Sequence, residues 1–167
     1  MIEYLVPTLK DLQEIIIIKN QVKEEVIKEN LPIWLDGYPD DELIKEDVVT
    51  KNARILKDDN EIVCYASYHL ASIEYDEDTF PINPIMSFGR LMTKVSMRKK
   101  GYAKRLISEM IQETKEKGYP GIGILVDDFN EKALNLYLEF GFKYLKTKQF
   151  PWAVLDVYML EFKNESN

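Results

Sequence analysis

The residues that could do chemistry gather around one basic turn. Val95-Ser96-Met97-Arg98-Lys99-Lys100-Gly101-Tyr102-Ala103-Lys104-Arg105 follows a strand-like segment and runs directly into a helical pattern. At such a junction the unpaired N–H groups and the positive end of the helix converge on one point, which suits a pyrophosphate. Gly101 permits backbone angles closed to other residues and, lacking a Cβ, lets phosphate oxygens approach the amides. The turn is neither a Walker loop nor the three-glycine dinucleotide fingerprint, because no Gly-Lys-Ser/Thr follows a four-residue spacer and the glycines are too few. Downstream, Tyr137 lies on an apolar helix face, and a phenol there is either a proton donor or core. His69 is the only histidine and Cys64 the only cysteine. A lone cysteine can form neither an intrachain disulfide nor a Cys-based zinc cage, so no metal is expected.

The elements that must position these groups are legible as periodicity. Residues 2 to 6 read as a short strand ended by Pro7, and Thr8 as the N-cap of an amphipathic helix reaching about Asn30. Pro32, Gly37 and Pro39 mark an irregular stretch, after which Asp40, Asp41 and Glu42 open a short helix to Val49. Strands are predicted over 53–57 and 61–71, joined by the hairpin turn Asp58-Asp59-Asn60. A polar loop from Glu74 through Pro84 follows, then a strand over 87–95. Ala103, Leu106, Ile107, Met110 and Ile111 define a helix from Tyr102 to Lys117, stopped by Gly118. The apolar run Ile122–Val126 reads as a covered strand, Asn130 caps a helix ended by Gly141, and strands are expected over 142–148 and 154–162. The order β-α-α-β-β-β-α-β-α-β-β gives an α/β domain with a mixed sheet and helices on both faces. One domain over residues 1–163 with a frayed tail over 164–167 is the expected organisation.

Composition narrows the function classes. The chain has 167 residues and a net charge of -7, with 46% hydrophobic and 31% charged residues, a globular balance that excludes wholesale disorder. The isoleucine run Ile15–Ile18, like every other apolar run, is far short of the roughly 20 residues that span a bilayer. The opening Met1-Ile2-Glu3-Tyr4 carries acid where a secretory signal carries base, so the cytoplasm is the expected compartment. Residues 1–86 hold 8 basic and 19 acidic side chains, whereas 87–167 hold 14 and 10. Seven cations and no anion lie between Arg90 and Arg105, a segment suited to a small phosphate ligand and too short for a nucleic-acid footprint.

These residues resemble the GNAT superfamily of N-acetyltransferases, whose acetyl-CoA loop has the pattern Arg/Gln-x-x-Gly-x-Gly/Ala. Arg98, Gly101 and Ala103 fill that pattern, with Lys99 where many members carry another glycine. Arg90–Val95 resembles the strand that holds pantetheine in the family, and Asn130-x-x-Ala133-x-x-x-Tyr137-x-x-x-Gly141-Phe142 resembles its second signature. Trp34, Tyr38-Pro39 and the acidic helix after them also resemble bacterial members.

The resemblance implies a mixed, mostly antiparallel central sheet flanked by helices, with acetyl-CoA as cosubstrate. Backbone amides of Arg98, Lys99, Lys100, Gly101, Tyr102, Ala103 and Lys104 would hold the pyrophosphate, and Met92, Thr93 and Lys94 would bond pantetheine through main-chain groups. Asn130 would cap its helix, reach the cofactor, or both. Tyr137 would protonate the departing thiolate after direct attack by an amine. His69, Glu74, Asp76 or a water chain would remove the ammonium proton. The acidic half points to a cationic amine acceptor, with Trp34, Tyr38 and Trp152 as candidate pocket residues. The partners are thus acetyl-CoA and an amine, with no nucleic acid and no membrane, and the family admits a homodimer through the C-terminal strands. The competing reading is a non-catalytic acyl-CoA or CoA binding module, against which Tyr137 argues.

Overall fold

The computed structural model describes residues 1–163; the expected tail over 164–167 lies outside them. Seven strands form one sheet in the order β1-β2-β3-β4-β5-β7-β6. They are β1 (Ile2–Leu5), β2 (Ala53–Asp58), β3 (Glu61–Leu70), β4 (Met86–Thr93), β5 (Gly121–Val126), β6 (Lys143–Gln149) and β7 (Val154–Glu161). The helices are α1 (Leu12–Lys28), α2 (Asp41–Val49), α3 (Ala71–Glu74), α4 (Tyr102–Glu116) and α5 (Glu131–Glu139). Pairing is antiparallel between β1 and β2, β2 and β3, β5 and β7, and β6 and β7. It is parallel between β4 and β5, through Met86↔Ile122 and Ser87↔Gly123. This is the mixed, mostly antiparallel sheet with helices that the sequence leads one to expect. Among the described residues no helix is long and apolar enough to cross a membrane.

The packing resolves into two compact units. The first comprises Met1–Tyr68 and Gly89–Met110, the second His69–Phe88 and the chain from Ile111 onward. In the first, the buried stripe of α1 (Ile15, Ile18, Val22, Val26) and Ile44 and Val48 of α2 join Ile55, Tyr65 and Met92 in one core. The periodic apolar positions of α1 are the cause, since they lie on one face of a 3.6-residue repeat. In the second, Ala71, Phe80, Ile85, Val157 and Met159 form the core, with Tyr75, Leu125 and Leu145 packed against it.

Local chemistry accounts for most boundaries. Asp59 and Asn60 both adopt positive φ (50° and 67°), as a two-residue hairpin turn requires, and Asp58 pairs directly with Glu61. Asp40 Oδ1 accepts the Leu43 N–H at 2.8 Å and starts α2. Gly118 and Gly141, at φ 83° and 94°, end α4 and α5.

Three predicted boundaries are corrected. The helix expected from Thr8 opens as a separate 3-10 turn, Leu9–Asp11, before α1 begins. The strand expected to reach residue 71 stops at Leu70, because Ala71–Glu74 closes a helical turn in which the Tyr75 N–H reaches the Ala71 carbonyl. The strand expected to reach residue 95 stops at Thr93, and Val95–Met97 forms a 3-10 turn.

Candidate active site

In the first unit, β4 from Gly89 onward, the turn and the start of α4 form one continuous track. Arg90 sits within β4 at φ 46°, a left-handed conformation that costs a non-glycine residue about 1–3 kcal/mol and persists only where its surroundings fix it. Asp47 supplies that fixing. Its carboxylate accepts Arg90 Nε and Nη2, each at 2.9 Å, and the Tyr65 hydroxyl at 2.7 Å, all of them buried. Arg90 Nη1 also donates to the Tyr38 hydroxyl at 3.1 Å. Burial and the Asp47 charge hold the Tyr65 phenol well above its ordinary pKa, so it stays a proton donor. Sequence reasoning missed this cluster. Arg90 counted as a cation and as the start of the Arg90–Val95 strand, and nothing in the spacing pairs residue 47 with residue 90.

Past Arg90, the Met92 side chain enters the core and Thr93 Oγ1 lies 3.6 Å from Cys64 Sγ. Burial pushes the Cys64 thiol up to about 12. The Lys94 N–H donates to the Val63 carbonyl at 2.9 Å, its carbonyl accepts the Met97 N–H at 2.8 Å, and its ammonium pairs with Glu61. The Lys94 N–H, one of the main-chain groups expected at pantetheine, is thus bonded to β3. Peptide groups alternate between the two edges of a strand, so those of Thr93 point to the opposite edge.

The turn then reverses through two left-handed residues, Lys99 (φ 65°) and Gly101 (φ 83°). Lys99 thus holds a glycine-like conformation where many members of the resembled family have glycine. A Cβ on Gly101 would meet nothing within 4 Å, so that side of the turn is open. The Arg105 N–H closes the first bond of α4, to the Gly101 carbonyl at 3.0 Å. Helix geometry puts the preceding amides, on Tyr102 and Ala103, ahead of the first bond of the helix's own ladder. They stand at its positive end, where an anion is stabilised. The Arg98 N–H turns toward the Val95 carbonyl at 3.5 Å, and its guanidinium pairs with Glu29 at 3.2 Å. The Tyr102 hydroxyl donates to Asp58, and Arg105 pairs with Glu109 one helical turn on.

Asn130 and Tyr137 belong to the second unit. Asn130 Oδ1 accepts the Ala133 N–H at 3.3 Å, so the capping role is realised. Tyr137 is 8% exposed and meets Phe88 and Phe142 edge-on, with ring centroids at 5.7 and 6.1 Å. That aromatic group fixes the orientation of the Tyr137 ring. The three candidate bases are also here. His69 Nε2 lies 3.6 Å from Glu74 Oε1, whereas Asp76 is largely exposed and 4.0 Å from Lys148. Asp127, Asp128 and Asp156 line a recess of about 390 Å³ together with Phe129 and Thr147. Burial, then the charges of Asp128 and Asp156, raise the Asp127 pKa. A cation would relieve that repulsion. Of the aromatics expected at a pocket, Trp34 packs on the first unit's core, Tyr38 bonds Arg90, and Trp152 stacks on Phe150 at 5.1 Å.

Comparison with known proteins follows this geometry. Residues 20–142 match the family model described as the acetyltransferase (GNAT) family. A GNAT-family acetyltransferase from Streptococcus agalactiae superposes with a TM-score of 0.82 at 16% identity, over 98% of this chain and 96% of that one. An N-acetyltransferase from Staphylococcus aureus gives 0.72 at 20% identity, over 98% and 99%. The paia N-acetyltransferase of Thermoplasma acidophilum, in complex with coenzyme A, gives 0.75 at 15% identity, over 97% and 99%. Among curated proteins no sequence matches significantly.

Proposed function

Because the chain belongs to the GNAT family of acetyltransferases, we propose that it moves an acetyl group from acetyl-CoA to a primary amine of a small molecule, amino acid or peptide. The observation that carries this reading is the junction after Met97. There two left-handed residues open the turn, and the first amides of α4 stand at its positive end. In this role the amides of Lys99, Lys100, Gly101, Tyr102, Ala103 and Lys104 hold the pyrophosphate, and the Thr93 main chain bonds the pantetheine arm as an added strand would. The family match draws on residues of both units, which supports treating residues 1–163 as one acetyltransferase domain.

Direct attack fits the residues better than a covalent acyl-enzyme. The only cysteine is buried, and its thiol, pushed up to about 12, holds almost no thiolate at neutral pH. A neutral amine therefore attacks the thioester carbon, the C–S bond breaks, Tyr137 gives its proton to the CoA thiolate, and the proton that nitrogen sheds as the amide forms restores the phenol. A phenol with a pKa of about 10 donates as negative charge gathers on sulfur. The carboxylates of Asp127, Asp128 and Asp156 favour a cationic acceptor. A reduced buried cysteine and the use of acetyl-CoA agree with a cytoplasmic location.

Gly101→Glu tests the cofactor site, since it sets a negative side chain on the open side of the turn. Calorimetric titration should show acetyl-CoA affinity lost by more than about 100-fold while the far-ultraviolet spectrum is kept. Unchanged affinity would remove the proposed site. Thiol release from acetyl-CoA over a panel of amines separates the enzyme from a CoA-binding module, and a preference for anionic acceptors would overturn the acceptor class.

A further inference from the structure

Within the first unit, β3 and β4 run out of step by one residue. A Cβ on Gly89 would meet Ser67 Oγ at 3.4 Å, which sets Gly89 against Ser67 of β3. Further on, the Lys94 N–H donates to the Val63 carbonyl at 2.9 Å. Four residue steps along β3, from Ser67 back to Val63, therefore face five along β4, from Gly89 to Lys94. The extra residue is a β-bulge, and Arg90, at φ 46°, marks its position. Peptide groups of a strand face its two edges alternately, and an inserted residue reverses that alternation for everything after it. Lys94 thereby meets β3, and the Thr93 peptide turns to the other edge. Without the insertion, Thr93 would take the place of Lys94 against Val63, and its main chain would be closed to a ligand.

Arginine does not favour this bulge locally. It has neither the freedom of glycine nor the short polar side chain with which asparagine enters the left-handed region. The holding force comes from α2. Asp47 Oδ2 accepts Arg90 Nε and Asp47 Oδ1 accepts Nη2, each at 2.9 Å, a paired geometry that fixes the plane of the guanidinium. The two side chains are 4% and 7% exposed, so solvent screens their attraction little. Ile44 and Val48, buried on either side of Asp47, seat that stretch of α2 in the core. The Tyr65 hydroxyl of β3 donates to Asp47 Oδ2 at 2.7 Å, and Arg90 Nη1 donates to the Tyr38 hydroxyl at 3.1 Å. Tyr38 is itself tethered, its carbonyl accepting Lys23 Nζ of α1 at 3.0 Å.

Resting on the acetyltransferase reading above, we propose that Asp47 is a positioning residue for the coenzyme. From α2 it holds Arg90 left-handed, and the bulge so locked turns the Thr93 peptide to the edge where the pantetheine arm pairs with it. Asp47 acts through the main chain of β4, with no contact of its own to the coenzyme.

The test separates backbone conformation from charge. The double variants Asp47→Asn/Arg90→Gly and Asp47→Asn/Arg90→Ala both remove the buried ion pair and leave an acceptor for the Tyr65 hydroxyl. They differ in whether residue 90 holds a positive φ unaided. Two ligands are titrated calorimetrically: CoA, and adenosine 3′-phosphate 5′-diphosphate, which keeps the phosphates and lacks the pantetheine arm. The glycine variant should bind CoA within about 3-fold of wild type, and the alanine variant about 10-fold more weakly, the population shift that the left-handed penalty supports. The fragment should bind all three proteins alike. Equal CoA affinity in the two variants overturns the proposal, and so does a loss for CoA that the fragment matches. Should the alanine variant fail to fold, Arg90→Asn in the same Asp47→Asn background replaces it. Asparagine enters the left-handed region less readily than glycine, so CoA should bind that protein more weakly than the glycine variant, and equality again overturns the proposal. A wild type that binds neither ligand defeats the acetyltransferase reading and the proposal with it. A wild type that binds both, with the glycine and alanine variants equal, defeats the proposal alone.

Discussion

Tyr137 shows how one residue can serve packing and chemistry together. Its ring is locked edge-on between Phe88 and Phe142, and phenylalanine fills the same space. Tyr137→Phe should therefore fold normally and bind acetyl-CoA with little change, while kcat falls about 100-fold through loss of the proton donor. Steady-state kinetics beside calorimetric titration check this, and an unaltered kcat would leave Tyr137 as core alone. Asp47 works differently. It accepts three buried hydrogen bonds, two of them from Arg90, so Asp47→Asn leaves a guanidinium charge buried without its counter-ion. The expected loss is about 3–5 kcal/mol in urea denaturation, the range for breaking one side of a buried ion pair. A loss under 1 kcal/mol would mean that water reaches the guanidinium and screens it.

At the scale of elements, the turn between β4 and α4 carries the argument, and Lys99 is its strained member. A left-handed conformation costs a non-glycine residue about 1–2 kcal/mol, whereas glycine loses about 0.5–1 kcal/mol to chain entropy. Lys99→Gly should therefore stabilise the fold by roughly 0.5 kcal/mol. Acetyl-CoA affinity should be nearly unchanged, because the amides stay where they are. Denaturant midpoints and titration would show it, and a destabilised variant would locate the strain elsewhere. The turn itself was legible in the sequence because basic residues, one glycine and an amphipathic run specify it locally. The left-handed Arg90 within β4 was not, since Asp47 and Tyr38, distant in sequence, bond its guanidinium, with Tyr65 on the same carboxylate. Asn130 lies between these cases: its capping was readable from the helix that follows, and the structure realises it.

Across the whole molecule, Cys64 offers a probe of global opening. It is fully buried in β3 with its thiol pushed up to about 12, so a thiol reagent at pH 8 should react only as fast as the protein unfolds. Labelling kinetics in native buffer and in urea would test this; rapid stoichiometric reaction in native buffer would contradict the burial. The same inertness lets CoA thiol release be followed without background from the protein. By itself the sequence determined the order of the seven strands and of every helix but α3, the family signature and the basic turn before α4, because each rests on residues near one another in the chain. Only the tertiary structure decided that Lys94 spends its amide on β3, that Arg90 is clamped by Asp47, and that His69 Nε2 comes within 3.6 Å of Glu74. Those facts depend on strand register and helix docking, which bring distant residues together through burial that no local pattern encodes.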